Sequence, residues 1–112
     1  MQDQNCRGLV LRTMEQLSRR NGLLTEAEAA SLFNLSPTWF RHQFRNGAGI
    51  SFRSARLRVK LSYGLNLLAT TQLSITEISI RLQYSDRTKF EKAFKREYKE
   101  TPFRYRQRQD PI

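Results

Sequence analysis

Apolar side chains recur every three or four positions along most of the chain, the spacing of residues that share one face of an α-helix. The segment from Arg7 to Arg20 shows this pattern and is followed by Asn21-Gly22, which suits the left-handed turn that ends a helix. The segment from Ser51 to Ala69 shows it over a greater length, and predicts a rod-like helix. The inward residues are Leu9, Val10, Thr13, Met14 and Leu17 in the first helix, and Phe52, Ala55, Val59, Leu61, Leu65 and Leu68 in the longer one.

Two four-residue stretches carry the signature of a helix N-terminus. In Thr25-Glu26-Ala27-Glu28 and in Ser74-Ile75-Thr76-Glu77, a hydroxyl residue precedes a glutamate by three positions. In such a capping box the hydroxyl accepts a hydrogen bond from a free amide of the first turn, and the glutamate accepts one from the amide of the capping residue. Each stretch predicts a short helix, one ending at Leu32 or Phe33 and the other at Leu82.

A second start signal follows each short helix. Ser36-Pro37 fits a helix start, because serine caps well and proline loses no hydrogen bond at the first helical position. That helix carries Trp39, Phe40 and Phe44 and stops around residues 46–49. We predict that Ser85 caps the corresponding later helix, whose inward residues are Phe90, Ala93, Phe94 and Tyr98, and that a last short helix starts at Thr101-Pro102.

These segments form an internal repeat. Thr25, Glu28, Ser36, Phe40 and Phe44 correspond to Ser74, Glu77, Ser85, Phe90 and Phe94 at an offset of 49 or 50 residues. Each copy is a capped short helix, a tight turn and a second helix anchored by two phenylalanines, which is the anatomy of a helix-turn-helix. We therefore predict an all-α, homeodomain-like fold of about seven helices, with helix-turn-helix subdomains in residues 1–50 and 72–112 and a linker helix in residues 51–71.

An ordinary helical bundle would also bury aromatic stripes, and we interpret these phenylalanines and Tyr98 as core residues that position the helices. Duplication is what favours DNA binding. Two recognition helices, in residues 37–46 and 86–98, would lie in successive major grooves about 34 Å apart on one face of a duplex. A monomer would then bind as two-fold dimers usually do.

The chain is strongly basic. Its 20 Lys and Arg residues exceed its 10 Asp and Glu residues and give a formal net charge of +10. This balance is typical of proteins that bind polyanions, although charge alone also serves solubility. No acidic residue lies between Glu28 and Glu77, a stretch that contains six basic ones, and a run of one sign repels itself unless something anionic lies against it.

Other classes of protein have no signature in the sequence. There is no glycine-rich phosphate loop, no cluster of histidine and carboxylate and no nucleophile-elbow serine, so we expect no enzyme, no cofactor and no metal. The single cysteine, Cys6, excludes an intrachain disulfide and fits a reducing compartment. Because no apolar run reaches about 18 residues and residues 1–6 lack a signal-peptide core, we expect a cytoplasmic, nucleoid-associated protein that binds no membrane.

A set of short motifs then points to one family. These are Ser74-Ile75-Thr76-Glu77-Ile78, Tyr84-Ser85-Asp86, Phe90, Phe94-Lys95-Arg96, Thr101-Pro102 and Tyr105-Arg106, with Leu67-Leu68, Thr71 and Gly49-Ile50-Ser51-Phe52 also fitting. On them the chain, from about Leu9 to Arg106, resembles the DNA-binding domain of AraC/XylS transcription regulators.

Four positions depart from the pattern of that family. Gln83 and Lys99 stand where glycine is usual, which puts the geometry of two turns in question. Gly64 stands where alanine is usual and should weaken the long helix by roughly 1 kcal/mol. Ala55 replaces a usual aromatic residue.

The buried phenylalanines decide which residues face DNA. If Phe40 and Phe44 point inward, the opposite face of their helix carries Thr38, Arg41, His42 and Arg45, and the resemblance implies base contacts at the first three. Arg41 is the strongest candidate, because arginine grips guanine O6 and N7 together. In the second unit the outward residues are Arg87, Thr88, Glu91 and Lys92. Backbone contacts are assigned to Ser36, Arg45, Ser85, Lys95 and Arg96, and non-specific attraction to Arg53, Arg56, Arg58, Arg104, Arg106 and Arg108.

Several residues keep two interpretations. Arg41 is either a base reader or a solvated or phosphate-bound arginine. Glu91 either accepts from cytosine N4 or pairs with Arg87 or Lys95 one turn away. His42, the only histidine, lacks further ligands at metal-binding spacing and is interpreted as a donor facing the groove. Trp39 lies beside the reading face but is left out of the base contacts.

The resemblance implies a regulator of transcription that binds double-stranded DNA and recruits RNA polymerase, and therefore an activator. The alternatives are a partner-binding protein on a degenerate helix-turn-helix fold and a non-specific nucleic-acid binder. The chain is either a stand-alone regulator or the C-terminal domain of a longer protein, and its oligomeric state is left open.

Overall fold

The computed structural model describes residues 2–109, with side chains from Cys6 onward. Over this range the chain forms seven α-helices and no strand, which confirms the predicted all-α fold. α1 begins before the predicted Arg7, and α3 continues through Asn46 to Ala48, where Gly49 at φ +78° ends it. The helices are α1 (Gln2–Arg19), α2 (Glu26–Ser31), α3 (Pro37–Ala48), α4 (Phe52–Thr70), α5 (Ile75–Arg81), α6 (Arg87–Tyr98) and α7 (Pro102–Gln109).

The chain divides into two compact units, and the division lies inside α4. The first unit is Met1–Val59 and the second is Lys60–Ile112. The early part of α4 supplies Phe52 and Ala55 to the core of the first unit. The later part supplies Leu61 and Leu68 to the core of the second. The long helix therefore carries core residues of both units.

Three phenylalanine rings form the centre of the first unit. Phe40 and Phe44 of α3 are fully buried, and Phe52 of α4 meets both edge-on, with ring centroids 5.3 and 5.6 Å apart. α1 packs along α3, and the two helices approach closely at Gly47. A Cβ atom there would lie 2.7 Å from the carbonyl oxygen of Cys6. This approach requires glycine.

The second unit repeats the arrangement around Phe90 and Phe94 of α6, which are also fully buried. The ring centroid of Phe94 lies 6.0 Å from that of Tyr105 in α7. Gly64 of α4 faces this core, where a Cβ would lie 2.9 Å from Cδ2 of Leu82 and 3.3 Å from Phe90. The missing side chain lowers helix propensity, but it also makes room for these two residues.

The predicted helix starts at Thr25, Ser74 and Ser36 are confirmed. Thr25 Oγ1 accepts a hydrogen bond from the Glu28 amide at 3.1 Å, while Glu28 accepts one from the Thr25 amide at 2.9 Å. Ser74 and Glu77 form the same reciprocal pair, both bonds at 3.0 Å. Ser36 caps α3 by accepting a hydrogen bond from an amide of its first turn at 3.2 Å.

The prediction that Ser85 caps α6 is wrong. Asp86 is the cap, because its Oδ1 accepts a hydrogen bond from the Lys89 amide at 2.8 Å and the helix begins at Arg87. A carboxylate caps as well as a hydroxyl does, and the prediction considered only the hydroxyl of Ser85.

The error follows from the length of the second turn. The backbone bond from Leu35 to Ala30 has its equivalent from Tyr84 to Ser79, at an offset of 49. From the caps of α3 and α6 onward the offset is 50, since Asp86 stands for Ser36. The second unit therefore holds one additional residue in its turn.

Among the described residues, four other than glycine lie in the left-handed region, namely Asn21, Asn34, Gln83 and Lys99. Gln83 has φ +63° and Lys99 has φ +65°. These are the positions where the family usually has glycine, so the turns keep the geometry that glycine would favour. Each residue pays for this with about 1 to 2 kcal/mol of steric strain.

Candidate nucleic-acid interface

The exposed face of α3 presents the residues predicted to contact DNA in the first unit. With Phe40 and Phe44 fully buried, Thr38, Arg41 and His42 are exposed on the other side of the helix. Arg45 is exposed one turn further along. The structure thus brings these four predicted residues together on one surface.

Arg41 is held by a carboxylate from another helix. Its Nε donates to Oε2 of Glu26 at 3.1 Å, and its Nη2 donates to Oε1 at 2.7 Å. These bonds lower the pKa of Glu26 below its ordinary value and raise that of Arg41 above its own. Both groups therefore stay charged at physiological pH. Sequence reasoning missed this pair, because the two residues are 15 positions apart and neither spacing nor motif joins them.

Trp39, which is not among the predicted base contacts, is a surface residue. Its side chain is 54% exposed, and its ring centroid lies 6.5 Å from that of His42. The indole therefore lies at the edge of the exposed face of α3 and does not pack in the core. Its place next to the buried Phe40 in the sequence was the available signal, since neighbouring residues on a helix point about 100° apart.

The exposed face of α6 is the counterpart in the second unit. Arg87, Thr88 and Lys92 are exposed opposite the buried Phe90 and Phe94. Glu91 is half-buried, and its Oε2 accepts a hydrogen bond from Nε of Arg87 at 3.3 Å. Of the two interpretations of Glu91, the structure therefore contains the ion pair with Arg87 one turn away. Lys95 and Arg96 are exposed in the last turns of the helix, and Ser85 is exposed in the turn that precedes it.

Three arginines assigned to general attraction are engaged within the protein. Arg106 donates to the carbonyl oxygens of Leu68, Thr71 and Leu73, with distances of 3.2 Å from Nε to Leu68 and from Nη2 to Thr71. It thereby provides hydrogen bonds to carbonyl groups at the end of α4 and in the connection to α5. The other two are Arg56, which donates to Gly22 O at 3.2 Å, and Arg108, which pairs with Glu100.

Among the described side chains, from Cys6 to Gln109, no three of His, Cys, Asp or Glu come together as a metal site would require. No helix in this range is long and apolar enough to cross a membrane.

Known proteins provide an independent comparison. A family model described as a helix-turn-helix domain matches residues 29–108. The urease operon transcriptional activator of Escherichia coli is 36% identical over 78 residues, which are 70% of this chain and 26% of that protein. The chain thus spans about a quarter of the length of this curated relative.

Solved structures share the fold. The C-terminal domain of AraT, a response regulator from Geobacillus stearothermophilus, is 27% identical and superposes with a TM-score of 0.78, covering 89% of this chain and 84% of that one. A transcriptional regulator of Chromobacterium violaceum, described as having an AraC-type DNA-binding domain, has a TM-score of 0.82 at 17% identity, covering 93% and 94% of the two chains. At that identity the second likeness concerns the fold alone.

Proposed function

Since the chain belongs to the AraC/XylS family of helix-turn-helix DNA-binding domains, we propose that it binds a specific duplex operator through α3 and α6, one major groove for each helix. The observation that carries this proposal is the shared design of the two units. In each, a capped short helix precedes a helix whose two buried phenylalanines turn a basic face outward. That face meets the requirement for reading bases and holding phosphates.

The roles follow from side-chain chemistry. Arg41 would grip guanine O6 and N7, a contact worth about 1 to 3 kcal/mol of discrimination. Thr38, His42 and Trp39 border it on α3. On α6 the base readers would be Arg87, Thr88, Glu91 and Lys92. The carboxylate of Glu91 would give up its hydrogen bond from Arg87 and accept one from a cytosine amine. Phosphate contacts are proposed for Ser36, Arg45, Ser85, Lys95 and Arg96, where Ser85 acts from the turn and not as a helix cap.

Selection of bound sequences from random duplex DNA tests the proposal. We expect one enriched sequence, bound about 10³-fold or more tightly than random duplex at physiological salt. The affinity for both should fall steeply as salt rises, because bound phosphates release counterions. Equal affinity for all duplexes would contradict specific readout and indicate non-specific binding.

Substitutions then assign the two helices. Arg41→Ala and Lys92→Ala should each relax sequence preference in a different half of the selected site. Arg19→Ala is a matched control, because Arg19 is an exposed arginine of α1 that pairs with Glu15 and lies outside both faces. A footprint that covers a single groove would contradict the two-helix arrangement.

We extend the proposal to transcription activation, with RNA polymerase as the protein partner and the nucleoid as the place of action. The name of the urease operon relative supports the sign of regulation. A reporter gene placed downstream of the selected site should increase in expression, and that increase should disappear with Arg41→Ala. A decrease in the same reporter would indicate repression.

A further inference from the structure

We propose that Glu26 is a specificity-determining residue, which positions the guanidinium of Arg41 so that this arginine reads a base and does not bind phosphate. The inference rests on the proposed function and adds a residue of α2 to the reading surface. Its basis is the two-bond contact between α2 and the exposed face of α3, made by Nε and Nη2 of Arg41.

The geometry leaves the reading edge of Arg41 available. A guanidinium has five N–H donors, and Glu26 engages one on Nε and one on Nη2. The three that remain lie on Nη1 and Nη2, the end of the group. That end is the one that can reach O6 and N7 of a guanine together. Glu26 therefore fixes the plane of the guanidinium but leaves its Nη1–Nη2 end available to a base.

The charge of Glu26 works in the same direction. Phosphates repel a carboxylate, so the Arg41–Glu26 pair attracts the DNA backbone less than a lone arginine would. A base edge carries no net charge, so the carboxylate repels it less than it repels a phosphate. Removal of the carboxylate should therefore weaken discrimination and strengthen non-specific attraction together.

The position of Glu26 makes its side chain well suited to this task. It is the first residue of α2, so the helix dipole favours its negative charge. Its side chain is 30% exposed, whereas that of Arg41 is 56% exposed. The carboxylate is thus the more enclosed partner and the arginine the one that projects.

The test compares Glu26→Gln with wild type on the selected duplex and on random duplex. We expect the ratio of specific to non-specific affinity to fall about twofold to fivefold, with tighter binding to random duplex. Glu26→Asp keeps the charge but withdraws the carboxylate, and should lose part of the discrimination without tighter non-specific binding. Glu15→Gln removes an equal charge from an ion pair on α1 and should change the ratio little.

A double-mutant cycle with Arg41→Ala decides whether Glu26 acts through the arginine. In that background Glu26→Gln should no longer change the ratio. An unchanged ratio in the single variant, or an equal fall with and without Arg41, would overturn the inference. If Arg41→Ala alone leaves the sequence preference intact, the proposed readout fails instead, so the two failures are distinct. Thermal unfolding of each variant checks that the fold is retained.

Discussion

Substitution of Gly47 by alanine should destabilise the first unit, although alanine is the better helix former. The gain in helix propensity is about 1 kcal/mol. Against it, the new Cβ would lie 2.7 Å from the carbonyl oxygen of Cys6 and 2.9 Å from Cγ2 of Val10. Overpacking of this kind costs roughly 1 to 3 kcal/mol, and the upper part of that range applies because a backbone oxygen cannot rotate away. We therefore expect a net loss of about 1 to 2 kcal/mol.

Gly8→Ala is the matched control, since Gly8 lies inside α1 and a Cβ there would meet no atom within 4 Å. It should gain about 0.5 to 1 kcal/mol. The assay is urea unfolding followed by the fluorescence of Trp39, the only tryptophan, which reports on the first unit. If Gly47→Ala stabilises the protein as much as Gly8→Ala does, the close approach of α1 and α3 is refuted.

Three further predictions concern turns and caps. Asp86→Ala should cost about 1 kcal/mol and Ser85→Ala almost nothing, and similar losses in urea unfolding would contradict the assigned cap. Gln83→Gly should raise the melting temperature, because relief of about 1 to 2 kcal/mol of strain exceeds the roughly 0.5 to 1 kcal/mol entropic cost of glycine; no gain would argue against strain. Hydrogen bonds from the backbone and hydroxyl of each capping residue lower the pKa of Glu28 and Glu77 below 4.5. The stability that these two carboxylates contribute should be complete above that pH and lost as pH falls through the lowered pKa values. Replacing both with glutamine should therefore make the melting temperature depend less on pH in that range.

Much of the fold could be predicted because its signals are local. A capping box is contained in four consecutive residues, and the two phenylalanines of α3, like those of α6, are four positions apart. Such patterns need no knowledge of what lies across the core. The cap of α6 was missed for the same reason, since Ser85 and Asp86 are equally good local candidates and only the path of the turn distinguishes them.

The contacts that complete the candidate interface are not local. Arg106 and Arg41 were both recognised as basic, but their partners are far along the chain, 33 to 38 positions from Arg106 and 15 from Arg41. A charge count treats all lysines and arginines alike. The structure separates those that hold the protein together, such as Arg106, from those that project, such as Lys92 and Arg45.

The bonds made by Arg106 also have a consequence for the order in which the protein folds during synthesis. The first unit has all of its core residues once the ribosome has passed Val59. The carbonyl groups of Leu68, Thr71 and Leu73 obtain their hydrogen bonds only when Arg106 has been synthesised, 33 to 38 residues later. At about 5 to 20 residues per second, that synthesis takes roughly 2 to 8 s. One half of the molecule therefore has its complete set of core residues while the other is still being translated.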